Sequence, residues 1–246
     1  MKKGVIILGA TSAIARACAE SLAKAGYPLF LAGRNVGELS RIASDIHLRY
    51  LVEVRYGELD AKKYTSHHDF IHNAAAVMGG LEGVVFAIGD LGKHDEALYD
   101  HKAARAIIDS NLTSACSLLT YAAEVLEKEK NGFIAAIGSV AGDRGRQSNY
   151  IYGAAKGGLA IFLEGLRNRL YDKNVRVLTI KPGFIDTAMT FGKKNLFLVA
   201  SPKRVAKALI RSVNQGRNVI YVPWFWRLIM LLIRSIPEEL FKRLKL

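Results

Sequence analysis

Seven short apolar runs, most followed by a longer amphipathic run, leave few folds open to this 246-residue chain. The runs that read as strands are GVIILGA (4–10), PLFLAG (28–33), YLVEVRY (50–56), LEGVVFAIG (81–89), GFIAAIGS (132–139), VRVLTIKPG (175–183) and NVIYV (218–222). Between them, helical spacing of apolar residues predicts helices over 14–26, 36–47, 62–76, 150–172 and 202–214. A long region from about Glu96 to Lys130 reads as two helices broken near Asp109. Strands joined by helices of this length pair in parallel through right-handed crossovers. The expected fold is therefore α/β: a doubly wound parallel sheet of the Rossmann type with helices on both faces. The chain contains no long linker, repeat or low-complexity tract, so one domain is expected over 1–222, with a C-terminal helical appendage over 223–246.

The opening MKKGVIILGATS has an apolar run of only five residues before a glycine turn, which suits a first strand better than a signal peptide. Cys18 and Cys116 show neither metal-ligand nor disulfide spacing, so a reducing, cytoplasmic setting is expected. The formal net charge of +13 calls for an anionic partner or serves solubility. No nucleic-acid motif accompanies that charge, and the aromatics do not interleave with basic residues along a strand. Nucleic acid is thus not expected, and a membrane surface, phosphate-bearing ligands or solubility remain.

Ligands of an open parallel sheet sit beyond the carboxyl ends of its strands. The first such end is LGATSAIARA (8–17), where Gly9 permits a tight turn and Thr11 and Ser12 add hydroxyls. The N–H groups of the following helix would favour an anion there. Taken alone, the turn suits either a dinucleotide or an ordinary strand–helix connection. The second strand ends in LAGRN, placing Arg34 where an acidic residue would hold the ribose hydroxyls of NAD. A guanidinium there suits a 2′-phosphate, so NADP(H) is expected over NAD(H).

SNYIYGAAKGG (148–158) holds two tyrosines ahead of one lysine. On a helix, residues four apart share a face, so Tyr152 aligns with Lys156 while Tyr150 does not. An ammonium beside a phenol favours the phenolate, which would tune Tyr152 as a general acid or base. Tyr150 would line the pocket or pack.

With Asp60 after the third strand, Asn111 in DSNLTSA, Ser139 at a strand end and KPGFIDT (181–187), the chain resembles the short-chain dehydrogenase/reductase family over about 3–222. The resemblance implies that Tyr152 gives a proton to a carbonyl oxygen as hydride arrives from the cofactor. Ser139 would orient that oxygen, Lys156 would also bind the nicotinamide ribose, and Asn111 would hold a relay water. It further implies cofactor contacts at Gly9, Thr11, Ser12, Ile14, Arg34, Asp60, Gly89, Pro182, Gly183, Ile185 and Thr187, with Asp60 at the adenine edge and no metal. Two departures stand out. Ala13 and Ala15 replace glycines, and FAIG (86–89) lacks the asparagine that normally buttresses the sheet. The methyl of Ala15 bears on helix–strand packing and on the place of the pyrophosphate, but neither departure touches the proton-transfer residues, so activity is expected to survive.

The tail VPWFWRLIMLLIRSIPEELFKRLKL (222–246) clusters Trp224, Phe225, Trp226, Leu228, Ile229, Leu231, Leu232 and Ile233, with Arg227 and Arg234 on one helical face. Its apolar runs are too short to span a bilayer. An interfacial amphipathic helix and a helix buried on its own core or in a homo-oligomer both fit. RQSNYIYGAAKGGLAIF (146–162), RVLTIKPG and the ending RLIMLLIRSIPEELFKRL resemble the decaprenylphosphoryl-2-keto-ribose reductase branch of the family. That likeness implies a keto-sugar on a polyprenyl-phosphate carrier, cell-wall synthesis, an oxidase partner supplying the ketone, and a place at the inner face of the membrane. Arg144 and Arg146 would either meet the carrier phosphate or be solvated loop charges. Reduction of another lipid or acyl ketone is the alternative, and a cofactor-binding scaffold without turnover a third. His68 and His72 have metal-compatible spacing but no evident third ligand, and His67, His94 and His101 read as surface residues.

Overall fold

The computed structural model describes residues 2–192 and 198–244; the ends of the expected 1–222 and 223–246 units, Met1 and 245–246, lie outside it. In chain order the elements are β1 (Gly4–Leu8), α1 (Ala13–Lys24), β2 (Leu29–Gly33), α2 (Val36–Tyr50), β3 (Val54–Glu58), α3 (His67–Val77), β4 (Leu81–Phe86), α4 (His94–Ala97) and α5 (His101–Ile108). There follow α6 (Ser114–Glu129), β5 (Gly132–Ile137), α7 (Tyr150–Arg169), β6 (Val175–Pro182), α8 (Pro202–Asn214), β7 (Val219–Val222), α9 (Trp226–Ser235) and α10 (Glu238–Phe241).

The seven strands form one sheet in the order β3-β2-β1-β4-β5-β6-β7, and every pairing is parallel. Side chains alternate across a strand, which divides the interior in two. Val5 and Ile7 of β1 face a core shared with Cys18 and Leu22 of α1, Leu39 of α2 and Leu209 of α8. Ile6 and Leu8 face the opposite core, with Ile71 of α3, Leu118 of α6 and Leu159 and Leu163 of α7. The order reverses between β1 and β4, and that reversal opens a crevice at their carboxyl ends.

Two boundaries differ from the sequence expectation. α2 continues to Tyr50 before Leu51 turns into the left-handed region (φ 56°), so β3 starts at Val54 and not at Tyr50. Asp45 and Arg49, one turn apart, pair across that last stretch and support the extra helix. The region from Glu96 to Lys130 does not break at Asp109: it widens there into a π turn, Asp109–Thr113, between α5 and α6. Ala15 is fully buried in the first core, which accommodates its methyl.

The tail does not stand apart from the domain. Trp226 and Met230 of α9 bury against Val140, with Phe184 and Tyr221 alongside, while Leu228, Leu231 and Leu232 are exposed. Among the described residues no helix is long and apolar enough to cross a membrane.

Candidate active site

Gly9 closes β1 with φ +82°, a backbone state open to glycine, and a β-carbon there would meet the Ile88 side chain at 2.9 Å. Ser12 caps α1, accepting a hydrogen bond from the Ala15 N–H at 3.2 Å, and the first turn of α1 contains no acid. The remaining donors at this helix start are therefore oriented for an anion. Two cavities meet at this turn. One, of about 380 Å³, runs past Gly9, Gly33, Arg34, Asp60, Gly89 and Ser110. The other, of about 520 Å³, runs past Ile14, Ser139, Tyr152, Lys156, Pro182, Gly183, Ile185 and Thr187, and both include Thr11, Ser12 and Gly89. Room on both sides of a glycine-walled anion cradle fits a dinucleotide.

Ser139 and Tyr152 come together through close backbone packing. A β-carbon on Gly142 would lie 2.6 Å from the carbonyl carbon of Lys156, and one on Gly153 2.9 Å from Ala141 O. The absence of both side chains lets the turn after β5 lie against α7. Ser139 Oγ accepts from the Ala141 N–H at 3.1 Å and also hydrogen-bonds the Tyr152 hydroxyl. Lys156, buried one turn along α7, donates from Nζ to Ile137 O at 2.9 Å, with Nζ 5.8 Å from the Tyr152 ring centre.

Burial, and not the neighbouring ammonium, governs these groups. It pushes the Tyr152 phenol up to about 12, with the Ser139 bond pulling the other way. It pushes Lys156 down to about 8. The sequence expectation of a lowered phenol is thus reversed: at neutral pH Tyr152 holds its proton.

Asn111 lies in the π turn, fully buried. Its Nδ2 donates to Ile107 O at 2.8 Å and to Asp90 O at 2.6 Å, tying the loop after β4 to the helix. A β-carbon on Gly89 would fall 2.9 Å from Asn111 Oδ1 and 3.3 Å from Lys156 Nζ, so these groups surround one point. Arg34 and Asp60 are both exposed; Asp60 Oδ1 accepts from the Lys62 N–H at 2.9 Å.

A third cavity, of about 500 Å³, opens on the other side of Tyr152 and shares Ser139, Tyr152, Gly183, Met189 and Thr190 with the second. Val140, Phe184, His94, Arg146, Ser148 and Asn149 also line it. Tyr150 does not; it packs edge-on against His94. Sequence reasoning missed Met189 and Thr190, which no local motif marks, Phe184, which lies inside KPGFIDT but is not among its expected contacts, and Arg16. Arg16 donates to Thr11 O, pairs with Glu38 and lines the second cavity. A basic residue one turn into an acid-free helix start was the available signal for it.

Arg144 and Arg146 part company. Arg144 Nη1 donates to Ile233 O, Arg234 O and Ile236 O at 2.6, 3.2 and 2.6 Å, Nη2 pairs with Glu238 at 3.0 Å, and the group stacks 3.7 Å over Phe241. It is neither a solvated charge nor turned to a ligand: it clasps the tail. His67 is likewise no surface residue. It is fully buried between α3 and α6, with Nδ1 2.9 Å from Ser117 Oγ, and burial holds its pKa below the usual imidazole value. His68 and His72 gain a third neighbour in Glu124 of α6, and the ligand atoms of the three lie within 4.8 Å of one another.

A crevice at the switch point, walled by a glycine turn and ending on a Tyr–Lys helix, defines a nicotinamide-binding protein of the Rossmann type. The model of the family described as short chain dehydrogenase matches residues 3–195. An uncharacterized oxidoreductase of Mycobacterium tuberculosis is 34% identical over 240 residues, covering 98% of this chain and 96% of the relative. One from Streptomyces coelicolor is 31% identical over 246 residues, with 98% and 96% coverage. The chain belongs to the short-chain dehydrogenase family and is an oxidoreductase of that family. Two solved structures share the fold. An actinorhodin polyketide ketoreductase with NADPH superposes with a TM-score of 0.82 at 18% identity, over 92% of this chain and 97% of that one. An alcohol dehydrogenase from Thermococcus sibiricus complexed with 5-hydroxy-NADP gives 0.77 at 23%, over 90% and 95%.

Proposed function

We propose that the protein is an NADPH-dependent carbonyl reductase in which Tyr152 is the proton donor. One observation carries this reading: Ser139 and Tyr152 line both the dinucleotide-sized crevice and a separate cavity, and Lys156 lines the crevice beside them. When bound, the nicotinamide supplies the hydride. Ser139 and Tyr152 hold the carbonyl oxygen between two hydroxyls, and Tyr152, protonated at neutral pH, delivers its proton to that oxygen. Lys156, anchored on Ile137 O, brings positive charge to the cofactor side and offsets the phenolate left behind. Asn111 fixes the π turn and the Gly89–Asp90 loop, and is the residue that would hold a relay water. Gly9, Thr11, Ser12 and Ile14 would cradle the pyrophosphate, Asp60 the adenine edge, and Pro182, Gly183, Ile185 and Thr187 the nicotinamide. Arg34 would bind the 2′-phosphate, a preference also favoured by the NADP ligands of the two similar structures.

The substrate class we favour is a keto-sugar on a polyprenyl phosphate, made by a partner oxidase and met at the membrane surface during cell-wall synthesis. Its support is the sequence likeness together with an exposed apolar patch, Trp224, Leu228, Leu231 and Leu232, beside the exposed cations Arg227 and Arg234.

Tyr152→Phe tests the mechanism. Carbonyl-dependent NADPH consumption should fall about 10²- to 10⁴-fold, the usual worth of a general acid, while NADPH still binds. A variant within a few-fold of wild type would refute the role. In the same assay Arg34→Ala should raise KM for NADPH far more than for NADH; equal losses would remove the 2′-phosphate assignment.

A further inference from the structure

Arg146 lies seven residues past Ser139 and six before Tyr152, in the wall of the cavity on the far side of the tyrosine. Its guanidinium is half-buried, and the Nε is sealed from solvent without a hydrogen-bond partner. A buried charge is costly unless something pairs with it. Asp143 supports that charge only through space. Asp143 is committed to Lys181 Nζ at 2.5 Å and to the Tyr221 hydroxyl at 2.7 Å. Among the described residues, those lining this cavity include no aspartate or glutamate.

Asn149 repeats the pattern. It occupies the N-cap position of α7, where an asparagine normally accepts from a helical N–H, yet it makes no capping bond. Its Oδ1 is buried, also without a partner, and it lines the same cavity. Both residues line the cavity that Ser139 and Tyr152 also line. An oxyanion in that cavity would pair with the guanidinium, and a hydroxyl on the same molecule would suit the Asn149 amide group.

We propose that Arg146, with Asn149, is the specificity-determining pair of this reductase and selects carbonyl substrates that bear a phosphate ester near the reacting carbon. The proposal rests on the carbonyl-reductase reading and narrows its substrate. It also divides two arginines two residues apart: Arg144 serves the tail, and Arg146 serves the ligand.

The test is calorimetric titration of the protein, saturated with NADPH, with methyl phosphate and, separately, with farnesyl phosphate below its micelle concentration. Wild type should bind at least one, with affinity lowered about 10- to 100-fold in Arg146→Gln, the usual loss of a charge-assisted contact, and partly restored in Arg146→Lys. Preference for farnesyl phosphate assigns the phosphate to a lipid, and equal binding assigns it to a soluble ester. Failure of wild type to bind either, or equal binding by wild type and Arg146→Gln, overturns the proposal. Turnover of a ketopentose and its phosphate by wild type reads the two ideas separately. Reduction of neither defeats the reductase reading whatever the titrations give. Reduction of both at equal kcat/KM keeps that reading and defeats the selectivity.

Discussion

Gly183→Ala is a one-carbon test of how the C-terminal helix is joined to the site. Gly183 has no left-handed φ, so alanine carries no backbone penalty there. The obstacle is Trp226: the added β-carbon would fall 2.6 Å from its Cδ1, and nearer still to Nε1 and Cε2. Carbon pairs rest at about 3.5–4.0 Å, so the indole, only 2% exposed, must move by about 1 Å or more. Overpacking of this kind costs roughly 1–3 kcal/mol, or a fall in Tm of about 2–12 °C for a chain of this size. Trp226→Ala removes a buried aromatic and should cost about 3–5 kcal/mol. In the double variant the clash is gone, so the two losses should fall short of additive by at least about 1 kcal/mol. Urea unfolding followed by circular dichroism measures all four proteins. Fluorescence gives a second view, since the chain has two tryptophans and Trp224 is exposed. Gly183→Ala should therefore redden the buried component. Additive losses, or a Gly183→Ala protein within 0.5 kcal/mol of wild type, would refute the close contact and with it the coupling of α9 to the cavity wall.

Two further outcomes follow from burial. Lys156 has its pKa lowered to about 8 from 10.5, so its charged form is disfavoured in the folded protein and the resulting cost is greatest below pH 8. Lys156→Met should raise the Tm of the cofactor-free protein at pH 7, with the gain fading as pH climbs from 8 towards 10.5; a gain that does not change with pH would contradict the desolvated ammonium. Arg144→Ala strips three carbonyl contacts and the Glu238 pair from the tail, a loss of about 1–3 kcal/mol. Limited proteolysis should then cut the segment around residues 236–244 at protease levels that leave wild type intact, and unchanged resistance would show that α9 packing alone holds the tail.

Most of the sheet was legible because its signals are local: a strand buried on both faces is a short apolar run, and a helix stop is a glycine or a left-handed residue nearby. The limits appear where a local signal has two outcomes. Tyr50 suits a strand by propensity and a helix by the Asp45–Arg49 pair beside it, and the helix won. A helix that seems to break at Asp109 can instead take in an extra residue, and the π turn does this while keeping Asn111 buried.

Spacing also identified which tyrosine shares a face with Lys156, because helix geometry is fixed. It could not give the direction of the phenol's shift, since that depends on how much water the folded chain excludes, and exclusion is the largest cause here. The arginines show the same boundary. Nothing in DRGRQ separates Arg144 from Arg146; what separates them is the arrival, some ninety residues later in the chain, of backbone carbonyls from the end of α9. The tail occupies Arg144, while the Arg146 Nε has no hydrogen-bond partner; on the proposed reading, this decides which of the two charges is available to a ligand. The composition of the tail therefore bears on substrate choice through packing, whether or not its outer face ever meets a membrane.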